Sequence, residues 1–363
     1  MKCEWALRRG DSPELFRVLG TPDASNVPHA DVADDSHALM MYRQMVALRV
    51  LDERALVYHR HGRIGTWAIS WGHEAIHVGV MAALRDTDWA FPSYRENKLC
   101  LLRGMSPEAI LAGCRGQPEG FWNPHEWRVG SICIPVASHV PHAAGFAWGE
   151  KLQGRDTVAA VFFGDGATSE GEFHEGANFA AVTRAPVLLV CTNNQWAIST
   201  PVSRQTRAMY LADKAVGYGI PSVRVDGNDV LAVYEATRQG AERARDGGGP
   251  VFIECVIYRA QAHAFPDDPS AYRDDVEAEK ARREECLGQM EAYLRARGLL
   301  SDEQAAQYRS EALASVAAGI VKAEALPTAD PELIFQHVLE EQTPAMRSDM
   351  ERLRAVRTRY GSP

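Results

Sequence analysis

The sequence predicts an α/β protein with a doubly wound, mainly parallel sheet, helices on both faces and a helical C-terminal extension. Three observations carry that expectation. Two apolar runs, Val158 to Phe163 and Val187 to Cys191, flank a helix-compatible segment, and each ends in a polar loop: Gly164-Asp165-Gly166 and Asn193-Asn194. A third run, Val251 to Tyr258, is apolar without alternation apart from Glu254, as in a strand buried on both faces. Between such runs the apolar spacing changes to three or four residues, so strands alternate with helices and the sheet is parallel.

The elements follow in order. Residues 1–36 hold Pro, Asp and Ser with little periodicity and read as an N-terminal arm suited to packing on a partner. From His37 to His61 the positions Leu39, Met40, Tyr42, Met45, Val46, Leu48 and Leu56 trace a helical stripe. Ile64 to Ser70 reads as extended, Gly72 to Leu84 as a helix, and Trp89 to Ser93 leads into Pro-Ser-Tyr-Arg-Glu at 92–96. Ser106 with Pro107 marks a helix start, Ser as cap and Pro in the first turn. Residues 115–134, rich in Gly, Pro and Trp, read as an irregular loop, and Pro141 to Gly154 as a helix of small residues. Pro221 to Val225 is a short strand and Asp229 to Asp246 a helix. Helices fill 274–325, with Ser301 and Gln304 in a capping-box pattern, and a further helix covers Pro331 to Glu341. One folded domain is expected over 37–341, followed by a C-terminal tail at 342–363.

Composition excludes several roles. A chain of 363 residues with 46% hydrophobic content supports a large core. With 39 Lys and Arg against 48 Asp and Glu, the net charge of −9 disfavours a nucleic-acid or anionic-membrane surface. No apolar run reaches the roughly 20 residues that span a bilayer. The N-terminus lacks the apolar centre of a signal peptide. Seven scattered cysteines form no paired motif, and Cys191 and Cys255 read as reduced core residues. The cytoplasm is the expected location.

Asp165 and Asn194 each stand at the carboxyl end of a strand, 29 residues apart. Adjacent parallel strands bring them to the sheet edge where open α/β sheets bind ligands. Either residue alone is usually a turn former or cap. Together they offer a carboxylate and an amide oxygen, a poor zinc or iron site but a good Mg²⁺ site. The ligand positions left open suit phosphate oxygens, and the Gly166 backbone with the following helix N-terminus suits a diphosphate.

Gly-Asp-Gly, a spacer and Asn-Asn resemble the signature of thiamine diphosphate enzymes. The version here is similar to the alpha subunits of the two-gene 2-oxo acid dehydrogenase decarboxylases, which serve pyruvate, branched-chain and acetoin complexes. The resemblance runs from about Met41 to Glu340 and includes PSYRE at 92–96, NNQWAIST at 193–200, VDGND at 225–229 and YRAQAHAFPDDPSAYR at 258–273. It makes 37–341 the cofactor-binding domain and adds the carbonyl of Trp196 as a third Mg²⁺ ligand beside Asp165 and Asn194. It implies that Arg95 binds the diphosphate, that Tyr94 belongs to the cofactor site, and that Gly164, Gly166 and Ala167 line it. Val136 would prop the cofactor in its bent shape. His263 would contact the diphosphate and, as the catalytic residue, help hand the acyl group to lipoyl; imidazole titrates in the range such proton traffic needs. Glu170 reads as an early-turn acid favouring the helix dipole.

Three departures stand out. Ala262-His263-Ala264 and Pro266 replace a hydroxyl-bearing stretch, so the regulatory phosphorylation sites of mitochondrial relatives are missing there and no such kinase control is expected. Ser138 and His139 stand where some members bind K⁺, and His139 is a poor ligand for it. No activating glutamate is found, and the resemblance implies that a separate beta subunit supplies it. The expected assembly is two alpha and two beta chains, acting on a 2-oxo acid, branched-chain before pyruvate, and feeding a lipoyl-bearing acyltransferase. Acetoin dehydrogenase, a non-catalytic scaffold relative and a transketolase-like carboligase are the alternatives.

Overall fold

The computed structural model describes residues 1–6, 14–19, 32–336 and 338–360. Helix α1 (Asp35–Arg60) opens with Asp34, whose carboxylate accepts from the His37 amide. Then follow α2 (Glu74–Ala83), β1 (Trp89–Phe91), α3 (Leu99–Leu102), α4 (Pro107–Cys114), α5 (Pro124–Trp127), α6 (His139–Leu152), β2 (Ala159–Gly164), α7 (Gly171–Thr183) and β3 (Val187–Asn193). A two-residue hairpin, β4 (Trp196–Ala197) with β5 (Thr200–Pro201), leads to α8 (Val202–Gln205), α9 (Ala212–Val216), β6 (Ser222–Asp226), α10 (Val230–Arg243) and β7 (Val251–Val256). The chain ends with α11 (Asp275–Arg283), α12 (Cys286–Ala296), α13 (Asp302–Ala325), α14 (Leu333–Gln336) and α15 (Pro344–Tyr360).

The five main strands run in the order β1-β2-β3-β7-β6, every pair parallel. This is the doubly wound sheet the alternating pattern predicts. Strand β3 is buried at every position, which is why its sequence shows no alternation. One face of the sheet buries Ala160, Phe162, Leu188 and Ile253 against α1, α2 and α10. The other buries Val161, Phe163, Leu189 and Phe252 against α6 and α7. Helices α6 and α7 meet at Gly176, where a Cβ would stand 2.8 Å from the Pro141 nitrogen.

Several expectations change. The described parts of the arm pack on their own chain: Ala6 pairs with Ser222 and Phe16 with Val225, covering the free edge of β6. Residues 7–13 and 20–31 of the arm lie outside the described residues. Ile64 to Ser70, read as extended, joins no sheet; Ala68 makes an isolated bridge to Ala264. Ser106 takes the cap position without a side-chain cap bond. The 331–341 segment forms one turn of helix instead of a full element, because Ile334, Val338 and Leu339 find no apolar partner and stay exposed. The tail instead carries α15, tied back by Arg354–Glu332 and Arg357–Asp330 ion pairs. The Ser301–Gln304 capping box is formed.

All seven cysteines are free thiols, with Cys191 and Cys255 fully buried. Among the described residues no helix is long and apolar enough to cross a membrane.

Candidate functional site

The carboxyl ends of β2, β3 and β7 open into one cleft. Register pairs Gly164 with Thr192, so Asp165 and Asn194 leave neighbouring strands side by side. Asp165 is 1% exposed, and one carboxylate oxygen accepts from Gln205 Nε2 at 2.9 Å. Burial pushes its carboxyl above the ordinary aspartate value. The two asparagines divide their work. Asn193 points into the sheet and donates to Glu254 at 2.7 Å. Asn194 faces the cleft; its Nδ2 lies 3.1 Å from His73 Nε2, and its Oδ1 accepts from the Trp196 amide at 3.2 Å. The Trp196 carbonyl accepts from Arg259 Nη1 at 3.1 Å.

Beside these oxygens sit two buried arginines. Arg95, 5% exposed, donates to the carbonyls of Ile69 and His263, and its Nη2 lies 3.1 Å from His263 Nδ1. Arg259, 1% exposed, donates to the Ile198 carbonyl at 2.5 Å and the Tyr272 hydroxyl at 2.9 Å, with Nη1 3.4 Å from the same His263 nitrogen. Neither guanidinium forms an ion pair with a carboxylate among the described residues. Tyr94 meets the His263 ring edge to face at 5.7 Å. Burial, then the charges of Arg95 and Arg259, push His263 down to about 4, so the imidazole is neutral near pH 7. His263 is held by its own loop: Asp267 accepts from its amide at 2.7 Å and from the Tyr272 hydroxyl at 2.6 Å. The alanines beside His263 leave that anchoring to Asp267.

Deeper contacts position the Tyr94-Arg95 loop. Lys98, fully buried, pairs with Asp52 of α1 at 2.9 Å and donates to the Ala68 carbonyl and Ser70 hydroxyl. Burial works to raise Glu96, but His77, with Nε2 3.4 Å from its carboxylate, and the hydrogen bond from Ser93 prevail and hold it down at about 2.

All ten residues singled out from the sequence, Tyr94, Arg95, Val136, Gly164, Asp165, Gly166, Ala167, Asn194, Trp196 and His263, line this one cleft of about 250 Å³. Some details differ from expectation. A tight 3₁₀ turn, Asp165–Ser169, separates β2 from α7, so the helix N-terminus does not directly follow Gly166. At Gly166 a Cβ would lie 2.7 Å from the Ala197 Cβ, so this glycine admits the β4 hairpin; Gly164 faces open space. Glu170 precedes α7 without a side-chain cap bond. Val136 is 45% exposed in the cleft wall, which excludes an ordinary core position. His139 Nε2 bonds the Phe162 carbonyl at 2.6 Å and Ser138 Oγ lies 2.9 Å from Cys133 Sγ, while His139 Nδ1 is buried with no hydrogen-bond partner among the described residues.

The sequence reading missed Arg259, Gln205 and His73. Arg259 had a usable signal: an arginine at the carboxyl end of a buried strand, four residues before His263. Gln205 lies in a short helix with no pattern, and His73 looks like any helix-start residue.

The chain matches the dehydrogenase E1 component family over residues 42–332. It is 38% identical over 345 residues to the 3-methyl-2-oxobutanoate dehydrogenase subunit alpha of Mycobacterium tuberculosis, covering 94% of this chain and 93% of that one. It is 39% identical over 316 residues to the 2-oxoisovalerate dehydrogenase subunit alpha of Bacillus subtilis, covering 84% and 96%. The pyruvate dehydrogenase E1 component subunit alpha of Acholeplasma laidlawii is also 39% identical over 316 residues, covering 86% and 91%. With its match spanning the sheet and every cleft residue, the chain belongs to the dehydrogenase E1 component family.

Proposed function

We propose that this chain is the alpha subunit of a 2-oxo acid dehydrogenase, which anchors thiamine diphosphate and Mg²⁺ and acts with a beta subunit. One observation carries the cofactor assignment. The cleft is lined by a buried carboxylate, Asp165, and a buried guanidinium, Arg95, with buried Arg259 bonded to the Trp196 and Ile198 carbonyls beside it, and among the described residues none of the three forms an ion pair. Buried charges need partners. A diphosphate with a divalent cation supplies both at once, and few other ligands do. Asp165, Asn194 and the Trp196 carbonyl are hard oxygens suited to Mg²⁺. Arg95 and Arg259 have the fork geometry that suits phosphate oxygens.

When bound, thiamine diphosphate supplies the nucleophilic carbon and the electron sink for decarboxylation. This chain's residues anchor and orient. Tyr94 and Val136 would flank the cofactor, and His263, neutral and with Nδ1 occupied by the arginine donors, would exchange a proton at Nε2. The activating carboxylate is assigned to the beta subunit, whose docking is supported by exposed apolar side chains at the cleft mouth, Ile134 and Ile198 among them. Transfer of the acyl group to a lipoyl-bearing acyltransferase follows from the same reading.

A second cavity, of about 710 Å³, shares Tyr94, Val136, Ile198 and His263 with the cleft and adds Ile110, Phe121, Trp122 and Ile132. Its apolar wall beside the reacting edge supports a branched-chain 2-oxo acid over pyruvate. The test is co-expression with the beta subunit, supplying thiamine diphosphate, Mg²⁺ and an artificial electron acceptor. Turnover should need both chains and rank branched-chain 2-oxo acids above pyruvate; a stable complex that binds no thiamine diphosphate would defeat the assignment.

A further inference from the structure

We propose that His73 is a positioning residue that fixes which end of the Asn194 amide faces the cleft. This rests on the reading of Asn194 as a cation ligand and adds how that ligand is oriented. His73 is fully buried at the start of α2, its amide bonded to the Ser70 carbonyl at 2.7 Å and its ring against that of His77 at 6.3 Å. Its Nδ1 lies 3.4 Å from the Trp71 carbonyl and its Nε2 lies 3.1 Å from Asn194 Nδ2.

The donor and acceptor inventory leaves one arrangement. A carbonyl only accepts, so Nδ1 carries the ring proton and Nε2 presents a lone pair. Only the amide nitrogen of Asn194 can donate to that lone pair. The amide oxygen is then turned away from His73, toward the Trp196 N–H at 3.2 Å and the cleft. A flipped amide would set oxygen against the Nε2 lone pair and NH₂ against the Trp196 N–H, two repulsive contacts in a dry interior. Both ends of the side chain therefore select the same orientation, and the ligand oxygen is in place before any cation arrives. Partners that orient a metal ligand in this way typically change affinity by about 10–100-fold when removed.

The test uses the complex of this chain with its beta subunit, in thiamine diphosphate, with Mn²⁺ as a paramagnetic probe of the hard-cation site. Bound Mn²⁺ is counted by loss of the free-ion electron spin resonance signal. His73→Leu should weaken Mn²⁺ binding about 10–100-fold, and His73→Gln, whose side-chain oxygen reaches the Nε2 position, should restore it to within about threefold. In an Asn194→Asp background both oxygens can serve, orientation no longer matters, and His73→Leu should change affinity less than about threefold. Parental binding by His73→Leu, failure of His73→Gln to rescue, or an equal loss in the Asn194→Asp background would each overturn the inference. If His73→Leu does not assemble, His73→Gln against His73→Asn decides, since Asn places its acceptor at the Nδ1 position: Gln should bind as the parent does and Asn should not, and equal binding overturns. Asn194→Ala separates the levels: if it binds Mn²⁺ normally, the cation reading itself falls and this inference with it. If Asn194→Ala binds weakly while His73→Leu binds normally, only the role of His73 falls.

Discussion

Replacing Asp165 with Asn should change stability in opposite directions with and without cofactor. In the stripped complex Asp165 is a nearly inaccessible carboxylate whose neighbour is the neutral amide of Gln205. Burial raises its folded-state pKa above the unfolded value. A raised acid contributes stability that is fully present below the unfolded pKa and is lost as pH rises through the folded pKa. Near pH 7 the stripped protein therefore carries a destabilising charge. Asn keeps the size and an oxygen for Gln205 and removes the charge, a gain of about 1–3 kcal/mol on the scale of buried polar groups. With about 2.1 cal/mol/K of unfolding entropy per residue, 363 residues give about 0.8 kcal/mol per degree, so the stripped variant should melt about 1–4 °C higher. Saturation at about 100 times the Kd adds about 2.7 kcal/mol to the parent, roughly 3–4 °C, and little to a variant lacking its anionic ligand. Melting curves of both proteins, with and without thiamine diphosphate and Mg²⁺, should cross. An equal shift on loading would refute Asp165 as a cation ligand. A lower melting point for the stripped variant would show that the Asp165–Gln205 bond, not a waiting charge, governs this position.

Other outcomes follow from the same geometry. His263→Ala should impair acyl transfer to lipoyl more than thiamine diphosphate binding; equal loss in a titration and a transfer assay would count against its role. In the stripped complex, ring-labelled His263 should stay neutral in nuclear magnetic resonance spectra down to about pH 4, and adding thiamine diphosphate should raise its pKa, because the diphosphate offsets the charges of Arg95 and Arg259 that now depress it. Arg259→Met removes the charged donor to the Trp196 and Ile198 carbonyls beside the cleft, a charged hydrogen bond being worth about 1.5–3 kcal/mol, so calorimetry should find thiamine diphosphate affinity about 10–150-fold lower. Gly176→Ala forces a methyl against Pro141 and Val140 of α6, and denaturant unfolding should show a loss of about 1–3 kcal/mol.

Much of the fold was legible because burial leaves a mark on composition. Apart from Glu254, the runs at β2, β3 and β7 are apolar on both faces, as strands inside a parallel sheet need. The ends of the chain were less legible for the complementary reason. Segment 331–341 and α15 bury almost nothing, so ion pairs rather than an apolar stripe decide where helix forms, and ion pairs between segments are invisible to periodicity. Residues 64–70 read as extended, yet what fixes them comes from elsewhere: Asp52 accepts from the Trp67 ring, and Lys98 bonds the Ala68 carbonyl.

The cleft separates what a sequence can carry from what only packing can. Ligand types and their spacing survive in the chain, so Asp165, Asn194, Arg95 and His263 could be named. The backbone that aims them could not. Ala137, Gln195 and Ile198 line or adjoin the cleft with φ of 67°, 73° and 54°, a left-handed conformation in which a glycine would announce the turn and these residues conceal it. Holding such residues there costs on the order of 1–3 kcal/mol each. For a β-branched isoleucine the penalty is especially hard to recover from local interactions. Ile198 is held by its carbonyl, which accepts from buried Arg259, and Arg259 also bonds the Trp196 carbonyl. One guanidinium thus pins the Trp196 carbonyl of β4 and the Ile198 carbonyl of the turn after it, and reaches His263. Strain at the cleft and the buried cation that sustains it are parts of one device: the same charge that holds the loop is the charge a diphosphate would meet.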